Sequence, residues 1–230
     1  MMRSLLWKDF RLNTLIWRIG LALGILPYLG AVALAMLRDG PSWPGTMFWS
    51  AVLTQAALLS LAGSELTLTL LGGNVIACER ADRSAEFLAY LPPSRAQVLG
   101  SKALVSLGAA ALIWVPNLLI ADLLAPALHD GSVDIAALQQ ASLRWGLAAT
   151  GILLFGAGWL GSALLDSPAV AVGFGFGLWI AVIASFAAST NTLGWPTAER
   201  VAAWYAASSA VLGALCIGIG SCLYLRRIEP

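Results

Sequence analysis

The side chains best suited to chemistry are crowded into one short stretch of this sequence. The 13 basic and 12 acidic residues of the chain include seven that fall between Glu79 and Lys102. Charged groups of this kind recognise a partner through charge-assisted hydrogen bonds, and an apolar pair among them can act as a buried anchor. The candidates are Glu79, Arg80, Arg83, Glu86, Phe87, Leu88 and Arg95. The pattern predicts docking of a soluble partner rather than catalysis.

Sequence signatures of catalysis and of metal binding are missing. The single histidine, His129, falls in a predicted external loop, where a solvated side chain is more common than a ligand or a general base. Neither Lys8 nor Lys102 follows a glycine-rich phosphate loop, and no G-x-S-x-G motif occurs. The three cysteines suggest neither a disulfide nor a shared metal site (Cys78, Cys216 and Cys222). We therefore expect no enzymatic activity, metal or cofactor in this chain, and no nucleic-acid partner.

The elements that must position the charged stretch are apolar. The chain is 59% hydrophobic and 11% charged, whereas about 25% of the residues in a soluble domain are charged. About 20 apolar residues in a helix span a hydrocarbon core of roughly 30 Å, and a helix satisfies its own backbone polar groups there. Six stretches contain no Asp, Glu, Lys or Arg: 19–37, 40–64, 103–121, 145–165, 167–198 and 201–225. The sequence predicts an all-α membrane protein with six transmembrane helices in a single domain, 1–230.

The distribution of basic residues predicts the orientation of these helices. With the N-terminus in the cytoplasm, ten of the 13 Lys and Arg residues fall on the cytoplasmic side. The three on the outside are Arg38, Arg144 and Arg200. Because cytoplasmic loops carry the excess of positive charge, we expect both termini and the 73–102 loop to be cytoplasmic.

Two acidic residues fall close to or within predicted spans. Counting along their helices at about 1.5 Å per residue places Glu65 and Asp122 near opposite membrane interfaces. They are candidate pore-mouth residues. Ion-driven transporters usually keep ionisable groups at the midplane, so this placement argues against proton or sodium coupling.

Residues 1–14 precede the first span and mix apolar with charged side chains. Trp7 and Phe10 flank the charged pair Lys8 and Asp9, and this mixture is typical of an amphipathic helix lying in the membrane interface. A simple basic flank of the first span fits the same composition. The sequence leaves both interpretations open.

The loop between the second and third spans contains local structural signals. Gly72 and Gly73 are expected to loosen the end of the second span. A short amphipathic helix is predicted over 82–91, and it ends at the two prolines that follow. Ser94 and Gln97 form a capping-box pattern that predicts the start of the third span.

These residues together resemble a known family, the permease subunits of type-2 ABC transporters. In that family an interfacial N-terminal helix with a Lys-Asp pair precedes six spans, and the loop after the second span reads E-R-x-x-[GR]-x-x-E-x-L, then a proline and S-R. The matching residues here are Lys8, Asp9, Glu79, Arg80, Arg83, Glu86, Leu88, Pro92 or Pro93, Ser94 and Arg95. The resemblance implies that the 73–102 loop is a coupling loop seated on a separate ATP-binding subunit. It also implies two such subunits, which bind ATP and Mg, and a second copy of this permease or a homologous one.

The functional expectation is therefore a permease of a prokaryotic cytoplasmic (inner) membrane that moves a substrate, most readily outward, with energy from the partner. A non-transporting membrane scaffold or assembly factor could use the same loop for docking, and a six-helix channel is a third reading. A membrane enzyme fits least, because no catalytic constellation is present.

Overall fold

The fold is described by a computed structural model that covers residues 2–39, 46–81, 94–124, 135–193 and 198–226. Every regular element within these ranges is a helix. In chain order they are α1 (Met2–Leu12), α2 (Thr14–Asp39), α3 (Thr46–Asn74), α4 (Ala77–Ala81), α5 (Arg95–Leu119), a π-helical segment (Ile120–Leu124), α6 (Ile135–Leu164), α7 (Pro168–Leu193) and α8 (Ala198–Arg226).

Six of these helices are long and apolar enough to cross a membrane. They are the six predicted from the charge-free stretches, and they make the chain, by length and composition, a multi-pass membrane protein. The candidate spans are Thr14–Leu37, Phe48–Asn74, Arg95–Leu123, Leu143–Leu164, Pro168–Thr190 and Arg200–Arg226. The prediction of an all-α fold with six long apolar helices is confirmed.

Two of the spanning helices, α3 and α6, form the centre of the bundle. Within their most hydrophobic windows 67% and 78% of residues are buried, against 11% for both α2 and α7. Leu68 and Leu71 of α3 join Phe155 and Trp159 of α6 in the hydrophobic core. The outer helices expose leucine, isoleucine and valine side chains, as expected of surfaces that face lipid.

Close packing of the central helices depends on glycine. A Cβ at Gly72 would overlap the carbonyl oxygen of Phe155, and one at Gly158 would lie 2.8 Å from the backbone nitrogen of Gly73. Small residues let helices approach this closely in lipid. The expectation that Gly72 and Gly73 loosen the end of this span is wrong, because α3 stays helical to Asn74 and both glycines are buried against neighbouring helices.

The entry into α5 follows its local sequence signal. The Ser94 hydroxyl accepts a hydrogen bond from the backbone N–H of Gln97, and the Gln97 side chain accepts one from the backbone N–H of Ser94. The predicted capping box is thus confirmed, and it fixes where the helix begins. The predicted helix over 82–91 and the two prolines after it lie outside the described residues.

Candidate functional site

Four charged side chains meet where α1, α4 and α5 come together, next to the end of α3. We call Lys8, Asp9, Glu79 and Lys102 the ionic cluster. Asp9, Glu79 and Lys102 are each less than 5% exposed, at 2%, 3% and 4% respectively. Two acidic and two basic groups balance one another in charge, and this balance makes their burial tolerable.

Lys102 is the central member of the ionic cluster. It lies on α5, two turns after the capping box, and its ammonium group is buried. Its Nζ lies 3.0 Å from Glu79 Oε1 and 3.9 Å from Asp9 Oδ1. It also donates a hydrogen bond of 2.7 Å to the carbonyl oxygen of Val75, one of the two residues between α3 and α4. One cation therefore joins α5 to α1, to α4 and to the end of α3.

The two remaining members complete the connection to α1. Lys8 is 32% exposed and forms an ion pair with Glu79, and its Nζ is 4.0 Å from Asp9. Asp9 Oδ2 accepts a hydrogen bond of 2.5 Å from the Ser101 hydroxyl of α5. Burial raises the pKa of Asp9 above its ordinary value, although Lys102 and the Ser101 hydrogen bond act in the opposite direction. The two lysines and the hydroxyl thus offset the cost of burying this carboxylate.

An amide pair reinforces the same junction. The Asn13 side chain donates to the backbone carbonyl of Asp9 at 2.9 Å, and it accepts a hydrogen bond of 3.0 Å from the Asn74 side chain. Asn74 is the last residue of α3, so a polar network holds the α1–α2 corner against the end of this central helix.

Arg80 ties α4 to the other side of the bundle. Its Nη1 donates a hydrogen bond of 3.1 Å to the carbonyl oxygen of Ala163, close to the end of α6. The same atom lies 3.7 Å from Asp166, which is 83% exposed, whereas the Arg80 side chain is 9% exposed. The hydrogen bond to the backbone carbonyl is the better-shielded contact. Glu79 and Arg80, adjacent in sequence, therefore fasten α4 to opposite parts of the helical bundle.

The structure changes the interpretation of two residues expected to contact a partner. Glu79 and Arg80 point into the bundle and are engaged there by residues of this chain. Arg95 is exposed as the first residue of α5. The other residues expected in this contact lie outside the described residues: Arg83, Glu86, Phe87 and Leu88.

The N-terminal helix shows an uneven distribution of exposure. Leu5 and Asp9 are buried, whereas Trp7 is 66% and Phe10 is 39% exposed. Trp7 stacks on Phe10 with ring centroids 6.2 Å apart, and Phe10 contacts Trp17 of α2 edge to face. Asp9, expected on the polar surface of this helix, instead faces the bundle because its partners are Lys102 and Ser101.

Sequence reasoning missed the residues that complete this site. Lys102 appeared only as one more cytoplasmic charge, and Ser101, Asn13 and Asn74 carried no signal at all. A lysine two turns into an otherwise apolar span is, however, a signal that could have been used, because such a charge needs a buried partner.

The two acidic residues predicted at a pore mouth occupy different environments. Asp122 lies in the π-helical segment and pairs with Arg144 of α6 at 3.2 Å. Glu65 lies nine residues before the end of α3, about 14 Å from it along the helix axis. It is about 6 Å along the axis from the centre of the Phe48–Asn74 candidate span. Both Glu65 carboxylate oxygens are shielded and have no hydrogen-bond partner among the described residues.

Comparison with known proteins adds no assignment. No protein-family model matches this sequence, and no curated protein matches it significantly. The functional argument therefore depends on the residues and their geometry.

Proposed function

We propose that this chain is the permease subunit of an ATP-driven transporter, and that a separate ATP-binding subunit docks on the loop between α4 and α5. The observation that carries the proposal is the ionic cluster, because it fixes both ends of that loop. Glu79 holds the segment that leads into the loop, and Lys102 holds the helix that follows it. A force that a docked partner exerts on the loop would therefore reach α1, α3 and α5 through the contacts of the ionic cluster.

Rigid attachment at both ends is what a coupling device needs. If the loop were tethered flexibly, movement of a docked partner would be absorbed by the tether. Here the Ser94 capping box starts α5 immediately after the loop, and Arg80 binds α4 to the end of α6. Movement of the partner would therefore rotate or shift packed helices, which respond as discrete bodies because their interfaces are close-packed.

The proposed division of labour assigns ATP chemistry to the partner. This chain carries no phosphate-binding loop in its sequence. The docking contact would come from the 82–93 segment, with Phe87 and Leu88 as the apolar anchor and Arg83 and Glu86 setting its orientation. Two ATP-binding subunits and two permeases, of one kind or two, would make the complete transporter in a prokaryotic cytoplasmic membrane, with both termini and the docking loop on the cytoplasmic side.

Co-purification tests this proposal directly. The chain is co-expressed with a candidate ATP-binding subunit from the same genome, and Phe87→Ala/Leu88→Ala is compared with Leu104→Ala, a truncation at a 61% exposed position of α5. Loss of a buried anchor costs about 2 kcal/mol or more, which is about 30-fold in affinity. We expect the double variant to lose the ATP-binding subunit while it still inserts in the membrane, and the control to retain it.

Two results would count against the proposal. Wild-type co-purification of the ATP-binding subunit by the double variant would remove the docking assignment. A complex that forms but shows no change in ATP turnover when reconstituted in lipid would favour a non-transporting scaffold.

A further inference from the structure

Glu65 is a partly exposed acidic residue of the Phe48–Asn74 candidate span, but its carboxylate group is shielded. Neither carboxylate oxygen is accessible, and neither has a hydrogen-bond partner among the described residues. An ionised carboxylate is expensive to keep in an apolar interior unless a cation or several donors compensate it. The other buried acidic groups of the described ranges, Asp9 and Glu79, both have lysine partners. Glu65 is thus the exception that packing alone does not explain.

The helices around Glu65 bring aromatic and hydroxyl groups to its depth. A Cβ at Gly73 would lie 3.0 Å from the backbone nitrogen of Val172 of α7, and one at Gly175 would lie 3.1 Å from Thr69. These two contacts show that α3 and α7 run antiparallel. Gly73, Thr69 and Glu65 follow one another at intervals of about one turn towards the start of α3, so Glu65 lies one turn beyond Thr69.

The corresponding turn of α7 leads from Gly175 to Trp179. The Trp179 indole donates a hydrogen bond of 3.2 Å to the Tyr205 hydroxyl of α8. That hydroxyl is 2.8 Å from the hydroxyl of Thr150 on α6. An aromatic and hydroxyl cluster contributed by three helices therefore lies at the level of the unpaired carboxylate.

This combination has a chemical preference. A carboxylate supplies the charge that a cation needs in an apolar medium, and the faces of Trp and Tyr rings attract cations further. Buried leucines lie within about one turn of Glu65 on the same helix (Leu61 and Leu68), together with buried hydroxyl groups (Ser64, Thr67 and Thr69). A small hydrated ion would lose its water here, whereas an apolar body with a diffuse positive charge would lose little.

We propose that Glu65 is the anionic contact for a hydrophobic cation that the bundle binds when α3, α6 and α7 separate. This inference rests on the proposed permease function and adds the substrate class, an amphipathic molecule with one positive charge. In the structure the carboxylate oxygens are shielded, and separation of the helices would expose them to the cargo.

The test is equilibrium binding of tetraphenylphosphonium to the purified full chain in lipid nanodiscs, without any ATP-binding subunit. Glu65→Gln keeps the shape and removes the charge. Asp166→Asn is the matched control, because the Asp166 side chain is 83% exposed and lies between two candidate spans, outside both. We expect wild type and Asp166→Asn to bind equally and Glu65→Gln to bind about 30-fold more weakly. Glu65→Asp, which keeps the charge, should retain most of the binding. Neutral triphenylphosphine oxide should not distinguish Glu65→Gln from wild type.

Equal binding by wild type and Glu65→Gln, or no measurable binding by wild type, would overturn the inference. Because the assay uses the isolated chain, it does not depend on docking of an ATP-binding subunit. If the cation does not bind but the ATP-binding subunit still co-purifies, the binding inference is wrong and the permease proposal stands. If the cation binds but the ATP-binding subunit does not co-purify, the docking assignment is wrong and the binding site stands.

Discussion

Replacement of Lys102 by methionine should destabilise the whole cytoplasmic end of the bundle. The side chain is 4% exposed and contacts Glu79 at 3.0 Å, Asp9 at 3.9 Å and the Val75 carbonyl at 2.7 Å. Methionine fills similar volume but removes the charge, so two buried carboxylates are left with the half-exposed Lys8 alone. Removing one partner of a buried ion pair costs about 3–5 kcal/mol. For a chain of this length, about 2–4 °C per kcal/mol gives a fall of about 10 °C in apparent Tm.

Size-exclusion chromatography after heating in detergent measures this fall. Arg18→Met is the control, because Arg18 is an exposed basic residue near the start of α2. It should melt within about 2 °C of wild type, since exposed charges contribute little. The double variant Lys102→Met/Glu79→Gln tests the cause, because it restores equal numbers of acidic and basic groups in the ionic cluster, with Asp9 facing the partly exposed Lys8. We expect it to recover at least half of the lost Tm.

Two outcomes would refute this reasoning. A Lys102→Met variant that melts with wild type would mean that the ionic cluster does not hold the junction. A double variant that melts no higher than the single one would mean that lost packing, rather than unbalanced charge, causes the effect.

Three further predictions follow from individual contacts. Arg80→Ala should lower stability by about 1–3 kcal/mol, because it removes a shielded hydrogen bond from a charged donor to a backbone carbonyl of α6. Asp166→Asn, at an exposed position, should change stability by less than about 0.5 kcal/mol, and thermal melts of both variants compare the two contributions. Gly72→Ala should lower the free energy of unfolding by about 1–3 kcal/mol and reduce the yield of folded protein, because the added Cβ would overlap the backbone of α6. Gly173→Ala is the control, because a Cβ at this position meets nothing within 4 Å, and it should behave as wild type in the same chromatography. In a cysteine-free background, Ser84→Cys should be protected from a membrane-impermeant maleimide in intact cells and labelled in inverted vesicles. Labelling in intact cells would show that the predicted orientation is wrong.

The sequence alone determined which segments cross the membrane. Each span follows from about 20 consecutive residues without charge, and each helix satisfies its own backbone, so no knowledge of its neighbours is needed. The start of α5 was equally local, because the Ser94 and Gln97 groups of the capping box lie within one turn. Properties that depend on a few adjacent residues could be predicted correctly.

Tertiary structure decided which charges are buried and with what. Lys8 and Glu79 are 71 residues apart, and Lys102 reaches a carbonyl group 27 residues away, so these contacts exist only after the helices have packed. In sequence Glu79 and Arg80 have the same appearance as charges that face a soluble partner. The position of Glu65 within its helix also depended on the structure, because α3 continues to Asn74, nine residues beyond Glu65. Hydrophobicity is a local property of the chain, whereas pairing between charges depends on how the helices are arranged around one another.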